Sequence, residues 1–294
     1  DQGSKINIEI TEGILADVKI EGLKKTKEKV VRRELTVKPG EIYDNKKIVR
    51  DLQRLYNLGF FEEVRRDHLP GKTPDEIVLV IHLVEQKTGR AGVGAGYSSL
   101  NGLVGFINLS QNNFQGSGKR VYLKTEFGGV ESYEIGYFDP WFRDRPQSFG
   151  IDGYNTEYTR NIYAHGHEIN EYDERRKGGA ITLGKRLSRD VDLSFRFRDE
   201  KIRLTPTNSN DVLPQWFQNG RLQTLAMILD KDTRDNRFRP TGGVHDTFWI
   251  ETTGGFLKGA NQYTKYMISL RRYIPLNNSK KTVFAIQGVF ADTS

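Results

Sequence analysis

The sequence predicts a small α/β module followed by a long all-β region of antiparallel strands, and two observations support this prediction. Residues 13–87 contain two segments of helical periodicity among three strand-like segments. From about residue 90 onward, apolar and polar residues alternate in runs separated by turn signals such as Asn-Gly, Gly-Ser-Gly and Asn-Asn-Ser. We count about eleven such runs, and the short connections between them indicate antiparallel neighbours.

The elements of the α/β module follow from local signals. A strand over residues 14–20 precedes a helix that we expect Thr26 to cap and that continues to about Leu35. Asp44 is expected to cap a second helix, whose apolar residues recur at helical spacing, and Gly59 is expected to end it. The remaining elements are strands over residues 60–69 and 76–84. The predicted order is therefore β-α-α-β-β.

The clearest strand of the second region covers residues 191–198. Its odd-numbered residues are Val, Leu, Phe and Phe, and its even-numbered residues are Asp, Ser, Arg and Arg. Successive residues of a strand point to opposite faces of the sheet, so one face is apolar and the other is charged. The apolar face can meet the core of a soluble β-sandwich, or it can meet lipid while the charged face lines a wet lumen.

The composition leaves both of these architectures open. Mean hydropathy is −0.62, and no run of about 18 apolar residues exists, which excludes a transmembrane helix. A transmembrane strand needs only about 9–11 residues with every second one apolar. The 30 glycines, 13 tyrosines and 16 phenylalanines suit the tight turns and aromatic girdles of a barrel, and they suit a sandwich equally well.

Several classes of function are disfavoured by residue usage. The chain has no cysteine, so it has no disulfide, zinc–thiolate site or thiol nucleophile. The net charge is +7, but the basic residues are scattered, which does not predict nucleic-acid binding and suits contact with anionic lipid head groups. The segment His165-Gly166-His167-Glu168 fits no specific zinc spacing and is expected to be a solvated loop. We expect no catalytic residue, metal or cofactor.

At this point the residues carry a family resemblance. The β-α-α-β-β order, together with residues 55–64 (Leu-Tyr-Asn-Leu-Gly-Phe-Phe-Glu-Glu-Val), resembles a POTRA domain. Four further segments occur in the order found in the barrel of the Omp85 superfamily, and the resemblance is strongest to outer-membrane assembly factors of the BamA type. These segments are the first-strand motif at 88–97, the turn at 111–118, the Asp-Pro-aromatic element at 138–142 and the turn at 232–243.

The resemblance implies a domain organisation and a location. Residues 1–12 are expected to be the last strand of a preceding POTRA domain, residues 13–87 a POTRA domain in the periplasm, and residues 88–294 the N-terminal part of a transmembrane β-barrel in the bacterial outer membrane. About eleven strands of the family's sixteen are present. Eleven strands of a sixteen-stranded sheet cannot close, so we expect the chain to be part of a longer protein.

The resemblance also implies a function for the glycine-rich first barrel strand. Glycine weakens a strand because it offers no side chain to pack, and the glycine spacing does not match a dinucleotide-binding loop. A weak first strand forms a seam that can open and pair with a client strand through main-chain hydrogen bonds. The predicted seam residues are Arg90, Gly92, Gly94, Gly96 and Tyr97.

Three other groups of residues are candidate interaction sites. A client-binding edge of the POTRA domain, or a charged edge that prevents aggregation, is predicted at Phe61, Val64, Arg65 and Arg66. A docking surface for accessory lipoproteins, or simply solvated helix-end charge, is predicted at Arg33, Glu34, Lys38 and Glu41. Membrane-interface aromatics are predicted at Tyr133, Tyr137, Trp141 and Trp249, with core packing as the alternative.

The function predicted from the resemblance is the insertion of β-barrel proteins into the outer membrane, without enzymatic activity. The expected partners are unfolded barrel clients, outer-membrane lipids and accessory lipoproteins. A secretion pore of the same superfamily is the first alternative. A soluble β-sandwich enzyme is the second, but it requires convergent acid, base or nucleophile residues, and none stand out in the sequence.

Overall fold

The computed structural model describes residues 12–98, 102–129, 131–164, 167–207, 219–257, 259, 262–277, 279 and 282–294. They form two compact units. The first contains the residues up to Thr88 together with residues 115–117, and the second contains the rest of the described chain. Residues 1–11, where we predicted a strand of a preceding domain, lie outside the described residues.

The first unit has the predicted β-α-α-β-β order. Its elements are β1 (Ile14–Glu21), α1 (Glu28–Arg32), α2 (Asn45–Asn57), β2 (Phe61–Pro70) and β3 (Glu76–Glu85). The sheet order is β1-β3-β2, with β1 parallel and β2 antiparallel to the central strand β3. The strand β2 is therefore one edge of this sheet.

Both helices pack on one face of this sheet. The predicted apolar residues of α2, Ile48 and Leu55, are fully buried, as are Leu79 and Ile81 on β3. Each such side chain contributes about 1.5–3 kcal/mol when it is removed from water, so burial of this cluster stabilises the unit.

The ends of α2 are those predicted from the sequence. The Asp44 carboxylate accepts hydrogen bonds from the backbone N–H groups of Lys46 at 2.8 Å and Lys47 at 3.1 Å. The hydrogen bond from Lys47 is the main reason why the pKa of Asp44 lies below its usual value. After the helix, Gly59 has a φ of 71°, a left-handed conformation that glycine adopts without strain.

The start of α1 differs from the prediction. Thr26 does not cap the helix, which begins at Glu28 without a side-chain cap. The Glu85 carboxylate instead accepts the backbone N–H groups of Lys24, Lys25 and Thr26, at 3.2, 3.0 and 2.7 Å. A carboxylate is a stronger acceptor than a hydroxyl, and this one comes from a residue that is distant in sequence. Sequence reasoning on local spacing does not find it.

The second unit is a single antiparallel sheet of eleven strands, which confirms the predicted strand number and direction. Each strand pairs with its neighbours in sequence, from β4 at one edge to β14 at the other. The strands are β4 (Gly89–Ser98), β5 (Gly102–Phe114), β6 (Lys119–Gly128), β7 (Ser132–Asp139), β8 (Gln147–Ala164), β9 (His167–Ser188), β10 (Val191–Pro206), β11 (Gly220–Asp232), β12 (Gly243–Thr253), β13 (Tyr263–Pro275) and β14 (Val283–Thr293).

One face of this sheet is apolar and exposed. The cross-strand partners Ile181, Phe197 and Leu225 belong to it, and Ile135 and Leu183 are 62% and 57% exposed. In a β-sandwich a second sheet would cover such a face. The eleven strands instead form one continuous sheet in chain order, not two facing sheets, which contradicts the sandwich alternative. Neither helix of the described chain has the length and apolar content to cross a membrane.

Residues 165–168 were predicted to be a loop, but the last two of them, His167 and Glu168, belong to β9. The strands β8 and β9 are 18 and 22 residues long. Cross-strand polar pairs stabilise them, including Thr159 with Asp173 at 2.9 Å and Arg160 with Glu174 at 2.8 Å. His165 and Gly166, the first two residues of the predicted loop, lie outside the described residues.

The hydrogen bonds that Glu85 accepts from residues 24–26 should depend on pH. Burial raises the pKa of Glu85, but the hydrogen bonds from Thr26, Lys25 and Lys24 outweigh it, so the net pKa is below the usual value. The stabilisation is therefore complete at neutral pH and is lost as pH falls through this lowered pKa. We expect Glu85→Gln to accelerate amide hydrogen exchange of residues 24–32 a few-fold at pH 7, measured by mass spectrometry.

The matched control is Glu62→Gln, which alters an exposed carboxylate of β2. It should leave exchange of residues 24–32 unchanged. Equal exchange in the Glu85→Gln variant and the unmodified chain at pH 7 would show that this carboxylate does not hold the segment.

Candidate functional site

The strand β4 has few side chains with which to hold its neighbours. A side chain added at Gly92 or Gly96 would meet no atom within 4 Å. On the other face, Val93 and Tyr97 are 76% and 80% exposed. Gly92 and Gly96 give β5 no side chain to pack against, so at these positions β4 is joined to β5 by main-chain hydrogen bonds alone.

Gly94 is the exception within this strand, because the ring of Phe106 lies against it. The two residues are direct cross-strand partners, and a Cβ atom at position 94 would lie 2.5 Å from the Phe106 ring. Aromatic rings that cover a glycine on the next strand compensate for its missing side chain. Phe106 was not among the predicted site residues. Its signal is the register, which places an aromatic residue opposite a glycine.

The same arrangement joins other strands of the sheet. The ring of Phe127 on β6 covers Gly105 on β5, on the apolar face, and the ring of Tyr122 covers Gly136 on β7. The Tyr122 hydroxyl also donates to Glu134 at 2.7 Å. Contacts of a ring with a glycine therefore recur between β4 and β7. Among these three, the contact of Phe106 with Gly94 is the one that involves β4.

An apolar groove of about 880 Å³ lies beside β4. Its lining includes Ala91, Leu109, Leu123 and Ile135, which follow one another as cross-strand partners from β4 to β7 on the apolar face. The groove therefore offers space for apolar groups next to the glycine-rich strand.

The charged face of the central strands is tied together by ion pairs. Arg196 contacts Asp152 at 2.7 Å, and Arg198 contacts Glu251 at 3.0 Å. The buried carboxylate of Glu200 accepts a hydrogen bond from the Tyr154 hydroxyl at 2.7 Å. Both arginines are partly exposed, so each pair contributes less than a fully buried one, but together these contacts add side-chain links between β8, β10 and β12. Arg196 and Arg198 were predicted to lie on the charged face, but their partners were not predicted.

The predicted client-binding residues of the first unit do not share one environment. Phe61 is 1% exposed and belongs to the core, and Val64 packs against that core. Arg65 is exposed and forms an ion pair with Glu63 at 2.7 Å. Only the backbone edge of β2 and the side chains of Arg65 and Arg66 remain as a candidate surface.

The predicted docking residues also divide into two groups. Glu34 is buried, and Arg33 lies beside it with 3.9 Å between the side-chain N and O atoms. Lys38 is exposed, while Glu41 forms an ion pair with Lys47 at 3.2 Å. Burial therefore removes Glu34 from any docking surface.

The predicted interface aromatics occupy three different positions. Tyr133 and Tyr137 lie on the apolar face, as lipid contact requires. Trp141 lies in the turn after β7, with the Arg186 guanidinium 5.4 Å from its ring centre. The register places Trp249 on the charged face of the sheet, whereas its chain neighbour Phe248 lies on the apolar face. The position of Trp249 therefore does not fit an interface girdle.

Comparison with known proteins identifies both units. The family model of the Omp85 superfamily domain matches residues 113–291, and that of the POTRA domain, described as a surface antigen variable number repeat, matches residues 14–86. An outer membrane protein assembly factor BamA from Nitratidesulfovibrio vulgaris is 24% identical over 87% of this chain and 32% of its own length. BamA from Neisseria meningitidis serogroup B is 34% identical over 48% of this chain and 18% of its own length. The chain thus spans about a third or less of these relatives.

Two solved structures share the fold. BamA from Haemophilus ducreyi lacking POTRA domains 1–3 has a TM-score of 0.57 at 21% identity, with 96% of this chain and 55% of that chain covered. CdiB from Escherichia coli has a TM-score of 0.64 at 14% identity, with the same coverage of each chain. From the two matching family models and this shared architecture it follows that the chain belongs to the Omp85 superfamily, as an outer-membrane protein with a periplasmic POTRA domain.

Proposed function

We propose that this chain belongs to a factor that inserts β-barrel proteins into the outer membrane, and that β4 is its seam. The observation that carries the proposal is the weakness of β4, where Gly92 and Gly96 leave open space that a side chain would fill. Any strand that adjoins the outer edge of β4 gains few side-chain contacts there. Such a junction opens at a lower cost than one between side-chain-rich strands.

An open seam exposes a row of main-chain donors and acceptors that lipid cannot satisfy. A client strand that pairs with β4 satisfies them, and the pairing does not depend on the client's sequence. The step needs no nucleotide or catalytic group, and folding of the client supplies the driving force.

The ion pairs of the central strands also support this mechanism, because they stabilise the part of the sheet that must not open. A seam can open repeatedly only if the rest of the wall stays intact. The Arg196–Asp152 and Arg198–Glu251 pairs cross strands β8 to β12 and oppose separation there. We propose that this difference in stability confines opening to β4.

The first unit is proposed to receive clients before they reach the seam. The edge strand β2 can pair with an extended segment, and Arg65 and Arg66 provide positive charge beside it. Lys38 and Glu41 are the remaining accessible candidates for contact with an accessory lipoprotein. We further propose residues 13–87 and 88–294 as the two domains.

A second candidate function is a pore that exports one partner protein through the lumen. The charged face of the sheet favours it, because a wet, charged wall suits the passage of a polar chain. The two functions make different contacts with their substrates. An inserted barrel pairs with β4, whereas an exported chain passes along the charged face.

Cysteine cross-linking distinguishes these functions, because it reports which part of the sheet contacts the substrate. The chain contains no cysteine of its own that would add background. We expect Ala95→Cys on β4, in the full-length protein in lipid vesicles, to form a disulfide with a cysteine in the last strand of a small barrel client during its insertion. Lys265→Cys, on the charged face, should not form it. Cross-linking at position 265 without any at position 95 would favour the pore and contradict the seam.

The ring-over-glycine contact of β4 gives a second prediction. We expect Phe106→Ala to speed amide exchange of residues 90–98 roughly two- to fivefold, because a cross-strand aromatic contact contributes about 0.5–1 kcal/mol. The measurement is hydrogen exchange with mass spectrometry on the full-length protein in detergent.

Phe127→Ala is the matched control, since it removes the same kind of contact between β5 and β6. It should affect residues 102–109 and leave residues 90–98 unchanged. If both variants changed exchange of β4 equally, Phe106 would have no special part in holding this strand.

A further inference from the structure

The sheet of the POTRA domain has a histidine at the centre of the face that does not pack on the helices. His82 lies on the middle strand β3, and its buried neighbour Leu83 belongs to the core, so His82 points to the opposite face. Its cross-strand partners are Glu21 on β1 and Arg65 on β2. The imidazole is partly exposed, so it can exchange protons with the solvent. His82 therefore lies within reach of both outer strands.

Each ring nitrogen of His82 has a carboxylate beside it. The Nδ1 atom lies 3.3 Å from Oε2 of Glu21, and the Nε2 atom lies 3.1 Å from Oδ2 of Asp67. Glu21 belongs to β1 and Asp67 to β2, so the two carboxylates approach the ring from different strands. The imidazole therefore bridges the two outer strands across the strand that separates them.

The protonation state of the ring decides how many of these contacts are favourable. A neutral imidazole has one N–H group, so it can donate toward one carboxylate, and its other nitrogen presents a lone pair to the second carboxylate. An imidazolium has two N–H groups and a positive charge, so it attracts both carboxylates. Histidine ordinarily changes charge between pH 5 and 8, where aspartate and glutamate of ordinary pKa are already charged. The full set of contacts therefore requires acid.

Other charged groups on this face of the sheet act on the same ring. Arg65 lies directly opposite His82 on β2, and Lys19 lies two residues before Glu21 on β1. Both basic groups oppose a positive charge on the ring, but Arg65 forms an ion pair with Glu63 at 2.7 Å, which offsets its effect. The strand β3 has no other charged residue within two positions of the histidine, and the helices pack on the other face. The carboxylates in contact with the ring therefore dominate its surroundings.

We propose that His82 forms a pH-dependent link across the POTRA sheet, which joins β1 and β2 to the middle strand when the periplasm is acidic. The link is complete at low pH, and it is lost as the pH rises and the imidazole loses its charge. At higher pH, β2 is held by its backbone hydrogen bonds to β3 and by the packing of Val64 on the core. This proposal concerns the folded POTRA domain and does not depend on the proposed insertion of clients.

The two outer strands should respond to different degrees. The start of β1 forms backbone hydrogen bonds with the segment before α2, since the Leu15 N–H group donates to Glu41 at 2.9 Å and the Gly40 N–H group donates to Leu15 at 2.7 Å. The described residues place no backbone segment along the outer side of β2. The strand β2 therefore depends more on its contacts with β3, and loss of the link should affect it more.

Amide hydrogen exchange of the full-length protein in detergent tests the link, with exchange times scaled to correct for the intrinsic effect of pH. We expect residues 64–69 to be about two- to fourfold better protected at about pH 5.5 than at about pH 7.5, which is the size expected for exposed ion pairs. In His82→Gln this difference should disappear, because glutamine keeps polar groups near the carboxylates but does not titrate in this range. Equal protection of the unmodified chain at both pH values would overturn the proposal.

His68→Gln is the matched control, because His68 is the other histidine of this sheet and directly follows Asp67 in sequence. Its ring contacts Tyr43, and its register with Leu79 places it on the face that packs on the helices. This variant should keep the pH difference in residues 64–69. Loss of the difference in His68→Gln, or its persistence in His82→Gln, would show that His82 is not the group responsible.

Asp67→Asn provides a second test that does not alter the central strand. The Asp67 side chain is 73% exposed, so its replacement should leave the domain folded, and unchanged protection of α2 checks this. The variant removes the carboxylate on β2, so it should reduce the pH difference in residues 64–69 while His82 is still present. An unchanged difference in this variant would contradict a link between His82 and β2.

Discussion

Main-chain hydrogen bonding between neighbouring strands is the constraint on which the rest of this structure depends. Lipid offers no donor or acceptor, so a strand that crosses the membrane must satisfy its backbone through the strands beside it. The resulting register decides which side chains share a face. It places Ile181, Phe197 and Leu225 together toward lipid, and it brings Arg196 within reach of Asp152 on the opposite face. The sorting of apolar and charged residues is a consequence of strand pairing.

Side-chain contacts are distributed unevenly over this backbone framework. The central strands carry buried carboxylates and their basic partners, whereas β4 has glycine where its neighbours have larger residues. Phe106 partly compensates by covering Gly94. One sheet thus combines a wall that resists separation with an edge strand held by fewer interactions. This difference needs no moving domain or bound ligand, because it is encoded in residue size at alternate positions of a few strands.

The sequence was sufficient for features that depend on local spacing. The order of the α/β module, the Asp44 cap, the Gly59 stop and the eleven strands follow from patterns within about ten residues. Features that depend on distant partners were not predictable. Glu85, rather than Thr26, supplies the side-chain acceptor just before α1. The ring of Phe106 lies against Gly94, and Trp249 lies on the charged face. Burial of Phe61 and Glu34 likewise reflects packing of the whole first unit.

The length of the β8–β9 hairpin determines how far the sheet extends beyond the lipid. A transmembrane strand uses about 9–11 residues, but these two strands have 18 and 22. At about 3.3 Å per residue, the excess extends roughly 25–40 Å beyond the lipid, at the end of the sheet opposite to the start of β4. The protruding part of the hairpin therefore lies in water, which accounts for the polar residues that alternate with its few apolar ones.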